Sequence, residues 1–164
     1  MFIVDASIAQ NVALGESAKG IDFKRVKRVA QLAQMDDMIS STSDLYTSVG
    51  RQGSLLSGGQ KQRIGIARAL YDDKSVLFFD EATSALDPTT EYNLLVQLLE
   101  QKGKTLFFVT HSVEVMKLCE RVLYIHDGKC SGFGSFEELT NKSPEFVSFV
   151  REEVANGKPP EDQV

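Results

Sequence analysis

The sequence has few cysteines and no long basic run, and these absences narrow the possible functions. Its only cysteines, Cys119 and Cys130, stand alone in their neighbourhoods, so neither a disulfide framework nor a cysteine-rich metal site is predicted. The formal net charge is −5, and nucleic acid is not expected as a partner because it is bound through clustered lysine and arginine. No signal-peptide pattern and no apolar run of membrane-spanning length is visible. Work at a membrane would therefore need another segment to hold the chain there.

Apolar runs alternate with helical patterns along the 164 residues, a length typical of one domain. Short continuous apolar runs at 76–79 and 105–109 predict strands that are buried on both faces. A third run, 121–125, precedes an Asp127-Gly128 hairpin turn and a returning edge strand. Helical patterns with N-terminal caps separate these runs. We therefore predict an α/β fold with a mostly parallel sheet flanked by helices.

The character of the sequence changes along the chain in three steps. Residues 1–70 are predicted to form a largely helical subdomain, interrupted by a loop rich in serine, threonine and glycine at 40–53. Residues 71–152 carry the predicted sheet and a last helix over 145–152. Residues 153–164 contain glycine, two prolines and several acids, a composition that predicts a disordered tail.

The first predicted strand ends in two adjacent carboxylates, Asp80 and Glu81. In open α/β sheets, ligands bind outside the carboxyl ends of the strands. Successive side chains point to opposite faces, so one carboxylate could hold Mg²⁺ while the other orients a water for attack on a phosphoryl group. The alternative is that Asp80 only caps the turn that follows.

His111 follows the second predicted strand and is expected at the same edge of the sheet. A neutral imidazole at that place could donate to a terminal phosphate oxygen or hold the attacking water. The alternative is a histidine whose ring is satisfied by loop backbone.

A serine and two glycines, Ser57, Gly58 and Gly59, precede a predicted helix over 60–70. Ser57 is expected to cap this helix, whose first turn carries unpaired N–H groups and the positive end of the dipole. Glycines would let a phosphate approach these N–H groups without a clash with a β-carbon. The alternative is a glycine-rich helix entry that binds nothing.

The order of these motifs resembles that of ABC ATPases. The stretch "LSGGQ" at 56–60, followed by "KQRIGIARAL", resembles the signature motif of that family. The stretch "VLFFDEATSALD" at 76–87 is similar to its Walker B strand, catalytic glutamate and D-loop, and His111 falls where its switch histidine belongs. The beginning of the chain, "FIVDASIAQNVALG", resembles exporter-type members in particular. The resemblance extends from residue 2 to about residue 150.

The resemblance implies a P-loop NTPase-like fold, with ATP and Mg²⁺ as cofactors. It also implies a head-to-tail dimer of two nucleotide-binding domains, attached to a transmembrane domain at the cytoplasmic face of a membrane. Asp80 would hold Mg²⁺, Glu81 would act as general base, and His111 would sense the γ-phosphate. Asp87 would belong to the D-loop at the dimer interface. The residues that would contact the γ-phosphate of ATP held by the partner domain are Ser57, Gly58, Gly59 and Gln60.

The sequence departs from the family pattern in two respects. Exporters usually have an acid and an arginine where this chain has Arg51 and Gln52, within the segment that contacts the transmembrane coupling helices. The phosphate-binding loop, G-x-x-x-x-G-K-[ST], occurs nowhere in the 164 residues, and neither the Q-loop glutamine nor the adenine-stacking aromatic is found.

The resemblance places all three missing features upstream of residue 1. The chain is therefore expected to be the C-terminal portion of a nucleotide-binding domain and to be inactive alone. Two alternatives stay open: a soluble ABC-type ATPase without transport, and a silent fragment that lends its signature motif to a complete partner.

Overall fold

The structure is a computed structural model that describes residues 2–156, and it forms a mixed α/β fold. The α-helices are α1 (Ile8–Val12), α2 (Phe23–Leu32), α3 (Gly58–Tyr71), α4 (Pro88–Leu99), α5 (Val113–Leu118), α6 (Phe136–Lys142) and α7 (Pro144–Asn156). The strands are β1 (Val76–Asp80), β2 (Thr105–Val109), β3 (Val122–His126) and β4 (Lys129–Gly134). The predicted caps Asp22, Ser57 and Asp87 each accept a hydrogen bond from the first turn of their helix, which fixes where these helices begin.

The described chain forms two compact units, of which the first ends at Val109 and the second begins at Thr110. The sequence predicts a boundary after residue 70 instead. The difference arises because one hydrophobic core continues through the first unit. Leu77 and Phe79 of β1 and Leu94 of α4 belong to the same buried cluster as Ile64 of α3. Burial of that shared apolar surface joins the sheet to the helices before it.

Strands β1 and β2 pair in parallel, in a register that runs from Val76 opposite Thr105 to Asp80 opposite Val109. The prediction that both strands are buried on both faces is wrong, because one face of the pair is exposed. Leu77 and Phe79 are buried, whereas Phe78 on the other face is 71% exposed. We call this second face the outer face; its apolar residues are Val76, Phe78, Phe107 and Val109. Within the described residues the outer face meets solvent, so a continuous apolar run does not signal burial here.

The segment 40–53, predicted as a loop, contains two short 3₁₀ helices, Thr42–Tyr46 and Arg51–Gly53. The first begins at a capping box in which the Asp44 carboxylate accepts from the backbone N–H of Ser41. Backbone hydrogen bonds, including one from the N–H of Ile8 to the carbonyl of Thr47, hold the segment beside α1. Local side-chain caps therefore order a stretch whose composition predicts a loop.

The second unit contains the antiparallel hairpin β3–β4 and helices α5 to α7. Its turn is the predicted one, with Asp127 and Gly128 both at positive φ (49° and 70°), as a type I′ turn requires. Its small core is built from Met116, Tyr124, Leu139 and Phe146. Helix α7 continues through residues 153–156, which the sequence analysis assigned to the tail, because glutamate and alanine there favour helix. The remainder of the predicted tail, 157–164, lies outside the described residues.

Candidate functional site

The signature stretch forms the capped start of α3. The Ser57 hydroxyl accepts from the N–H of Gln60 (3.2 Å), and the Gln60 side-chain oxygen accepts from the N–H of Ser57 (2.9 Å). This reciprocal pair is a capping box, and it places Gly58 and Gly59 in the first helical turn. The helix begins at Gly58, earlier than the predicted start at Gln60. The unpaired N–H groups of its first turn and the positive end of its dipole therefore lie at the two glycines.

A cavity of about 330 Å³ lies in front of this helix start. The residues that line this cavity include Ser57, Gly58, Gly59 and Asp87. The stretch that resembles the signature motif and the stretch that resembles the D-loop, which are separate in sequence, therefore meet at one cavity. Asp87 caps α4 by accepting from the N–H of Thr90 (3.0 Å). A hydrogen bond from the Thr90 side chain, and next the one from its N–H, lower the pKa of the Asp87 carboxyl. At neutral pH the cavity therefore has a helix dipole on one side and an ionised carboxylate on the other.

The second glycine also has a packing role that sequence analysis missed. A β-carbon on Gly59 would lie 2.9 Å from the carbonyl oxygen of Ala85, closer than real contacts of this kind come. A β-carbon on Gly58 would make an ordinary contact, 3.5 Å from the β-carbon of Ala85. Gly59 therefore lets the D-loop backbone pass close against the helix start, whereas Gly58 does not need to be glycine for packing.

The two predicted carboxylates stand at the carboxyl end of β1, as expected. Asp80 is exposed and shares the outer face with Phe78, while Glu81 is half-buried. Glu81 lies in the left-handed region (φ 47°), and its N–H donates to the carbonyl of Val109 on β2 (3.0 Å). No group of three or more metal-ligating side chains is found among residues 2–156. An exposed carboxylate such as Asp80 still fits Mg²⁺, which is often held by one or two carboxylates together with waters and substrate phosphates.

Gln62 connects the signature helix to the turn after β1, a link that sequence analysis missed. Its side-chain nitrogen donates to the carbonyl of Glu81 (3.1 Å) and to the hydroxyl of Ser84 (3.0 Å). Its side-chain oxygen accepts from the N–H of Ala85 (2.9 Å). Helical spacing could have pointed to this residue, because it follows Gly58 and Gly59 by four and three positions and so shares their helix face.

Arg63 supplies the positive charge at the cavity wall. Its guanidinium donates to both carboxylate oxygens of Asp37 (2.6 and 2.9 Å) and to the carbonyl of Gln34. The hydrogen bond from Arg63 lowers the pKa of the Asp37 carboxyl. Because both groups are held in a bidentate pair, Arg63 is fixed in place at the base of the signature stretch.

His111 lies in the second unit, directly before the cap of α5, and it is exposed. Its ring centroid is 6.4 Å from that of Phe149. Its predicted position beside Asp80 and Glu81 stays a prediction.

Comparisons with known proteins agree with the motifs. The family model described as "ABC transporter" matches residues 4–84. The β-(1→2)glucan export ATP-binding/permease protein NdvA of Rhizobium johnstonii is 36% identical over 151 residues, which cover 91% of this chain and 25% of that protein. The leukotoxin translocation ATP-binding protein LktB of Mannheimia glucosida is 37% identical over 153 residues, covering 92% of this chain and 21% of that protein. The chain thus spans about a quarter or less of the length of these relatives.

The fold also matches solved structures. A bacterial Atm1-family ABC exporter with ATP bound superposes with a TM-score of 0.85 at 28% identity, over 96% of this chain and 28% of that chain. None of the helices within residues 2–156 has the length and apolar character needed to cross a membrane.

Proposed function

Because the chain belongs to the ABC transporter family, with exporter ATP-binding proteins among its relatives, we propose that it forms part of the nucleotide-binding domain of an exporter. Its role is to contribute to the ATP hydrolysis that drives transport across a membrane. The observation that carries this proposal is the cavity in which the capped start of α3 meets the D-loop. Two motifs separated in sequence converge there, and the first-turn N–H groups of α3 on that surface suit a phosphate.

The signature face binds ATP held by a second nucleotide-binding domain in a head-to-tail dimer. The first-turn N–H groups at Gly58 and Gly59, the Ser57 hydroxyl and Gln60 contact the γ-phosphate. Asp87, at the rim of the same cavity, lies at the dimer interface. Residues of this chain thereby complete an ATP site whose other half belongs to the partner domain.

The carboxyl end of β1 carries the hydrolytic groups. Asp80 offers an oxygen ligand to Mg²⁺, which when bound neutralises charge on the phosphates. Glu81 accepts a proton from the attacking water or orients it, and His111 donates to the γ-phosphate. Each of these roles uses a side chain at or directly after the carboxyl end of a parallel strand, where α/β folds bind their ligands.

The chain acts with segments outside these 164 residues. ATP turnover needs a phosphate-binding loop, and that pattern is absent from the sequence, so we expect the 164-residue chain alone not to hydrolyse ATP. The exposed outer face of the sheet is consistent with further domain structure packing there. A transmembrane domain holds the assembly at the cytoplasmic face of the membrane and selects the transported substrate.

A hybrid exporter tests the proposal. In the bacterial Atm1-family exporter, the stretch that superposes on this chain is replaced by residues 2–156, and ATP hydrolysis is measured in detergent micelles. We expect the hybrid to hydrolyse ATP and the Glu81→Gln hybrid to turn over about 10²–10⁴-fold more slowly, because it lacks the general base.

The matched control is Glu100→Gln, an exposed carboxylate at the end of α4, which should leave turnover unchanged. A folded hybrid without ATP hydrolysis, or one in which Glu81→Gln turns over as fast as Glu100→Gln, would contradict the proposed function.

A further inference from the structure

We propose that Gln62 is a positioning residue that holds the turn after β1 against the signature helix, so that Glu81 and the start of α3 move together. The inference rests on the proposed function insofar as it assigns a consequence for hydrolysis. The contacts of Gln62 with the turn all lie within the first unit.

Three of the four hydrogen-bonding positions of the Gln62 amide are directed at one short turn. The nitrogen donates to the Glu81 carbonyl and the Ser84 hydroxyl, and the oxygen accepts from the Ala85 N–H, at 3.1, 3.0 and 2.9 Å. The orientation of the amide follows from its partners, because a flipped amide would direct N–H groups at the Ala85 N–H. A side chain that bonds both a carbonyl and an N–H of the same turn fixes the orientation of the turn as well as its distance from the helix.

The turn has a reason to need such support. Glu81 is a non-glycine residue at φ 47°, a backbone region that L-residues adopt only when surrounding contacts hold them there. Its carbonyl accepts from Gln62 and from the Ser84 hydroxyl (2.9 Å), while its N–H donates to Val109. Gln62 is the only one of these contacts that reaches Glu81 from α3. Loss of Gln62 therefore removes its hydrogen bonds between the helix and the turn, while the packing of Ala85 near Gly59 and the turn's bonds to β2 and within itself remain.

A second contact from the same helix face supports the link. Gly59 and Gln62 are three residues apart, and the Ala85 backbone passes so close to Gly59 that no β-carbon fits between them. Gly59 sets how near the turn comes to α3, and Gln62 sets its orientation. A displacement of the signature stretch by a partner's nucleotide would thus be passed to the backbone of Glu81. The signature motif, which serves the partner's ATP, is in this way connected to the hydrolytic carboxylate of its own chain.

The first test uses the 164-residue chain and amide hydrogen exchange. Gln62→Met removes all three hydrogen bonds with little change in volume, and Gln101→Met is the matched control, because the Gln101 amide bonds within its own helix end to the Gln97 carbonyl. We expect the Ala85 amide to exchange about fivefold or more faster in Gln62→Met than in wild type or Gln101→Met, while the amides of α4, whose leucines are buried in the core, exchange as before. Unchanged Ala85 exchange in a folded Gln62→Met chain would overturn the inference.

A smaller change covers the case in which Gln62→Met does not fold. Ser84→Ala removes one acceptor of the Gln62 amide and leaves the Ala85 bond in place. It should raise Ala85 exchange in the same direction by a smaller factor, and no rise at all would overturn the inference.

The second test uses the hybrid exporter and separates a positioning role from a merely structural one. Gln62→Met should lower kcat about tenfold or more with the KM for ATP unchanged, because Glu81 is displaced while the nucleotide contacts remain. An equal kcat in an active hybrid would contradict the link to Glu81 while leaving the proposed function intact. An inactive unmodified hybrid would contradict the proposed function, and Ala85 exchange would then decide the inference.

Discussion

Two regions of the first unit differ in whether their side chains find partners within the described residues. At the junction between α3 and the turn after β1, Ser57, Gln60 and Gln62 each form side-chain hydrogen bonds with nearby residues of the same chain. On the outer face of the sheet, Phe78 and Phe107 stack on each other with ring centroids 4.6 Å apart, yet remain 71% and 48% exposed. Within the described residues, the side chains of the first region are joined by hydrogen bonds, whereas the apolar side chains of the second are left uncovered.

This difference distinguishes two kinds of interaction: hydrogen bonds that a short segment can form by itself, and apolar burial that needs a larger fold. Capping and amide hydrogen bonds are satisfied over a few residues or between two adjacent elements, so the junction is held without further chain. An apolar sheet face is satisfied only by another layer of structure. The contrast also fits the proposed function. There the junction contributes the signature surface, and the outer face of the sheet is covered by other parts of the ATPase core.

The largest expected effect compares the two faces of β1. Phe79→Ala should lower the free energy of unfolding by about 3–5 kcal/mol, because Phe79 is 5% exposed and its loss leaves a cavity in the core. Phe78→Ala, one residue earlier on the outer face, should cost below about 1.5 kcal/mol, the worth of its stacking on Phe107. Urea unfolding of the two variants measures both values. Equal losses would mean that the outer face is covered in solution and that the contrast between the regions is false.

The next effect concerns the close approach at the junction. Gly59→Ala should destabilise the chain by about 1–3 kcal/mol, because the new β-carbon would lie 2.9 Å from the Ala85 carbonyl oxygen and the turn must shift. Gly58→Ala should be neutral or stabilising by up to about 1 kcal/mol, since its β-carbon would make an ordinary contact and alanine favours helix. Thermal unfolding of the pair distinguishes them. If both variants lose the same stability, the close packing of Gly59 is not what holds the turn.

The same contrast explains which features the sequence predicts. The caps at Ser57 and Asp87 were predictable because each involves a hydrogen bond to a backbone N–H three residues away. The strands and the hairpin turn were predictable for the same local reason. The link from Gln62 to Ala85 spans 23 positions and depends on how α3 packs beside the turn, which no local pattern encodes. The exposure of Phe78 depends on whether other structure covers the sheet. The apolar run at 76–79 would read the same whether its outer face is covered or exposed.

The smallest expected effect is the pH dependence of the ion pair that anchors the base of α3. The hydrogen bond from Arg63 lowers the pKa of Asp37 in the folded chain, so the ionised carboxylate favours folding. This contribution is fully present above the ordinary pKa of an aspartate, near pH 4, and is lost as the pH falls through the lowered folded value. Because the Asp37 side chain is 52% exposed, its size should stay below about 1 kcal/mol.

The difference in unfolding free energy between wild type and Asp37→Asn, measured by urea titration from pH 7 down to pH 3, isolates this pair from the other carboxylates. This difference should be positive at pH 7 and shrink below about pH 4. Protonation then removes the charge of Asp37 in the wild type, and the substitution has already removed that charge in the variant. Asp36→Asn removes one carboxylate charge at the neighbouring residue and leaves the Asp37–Arg63 pair intact. Its unfolding free energy should therefore still fall at low pH as it does in the wild type. A difference that stays constant across the whole range would show that the bidentate contact adds no charge-dependent stability. The junction would then rest on its neutral hydrogen bonds and close packing alone.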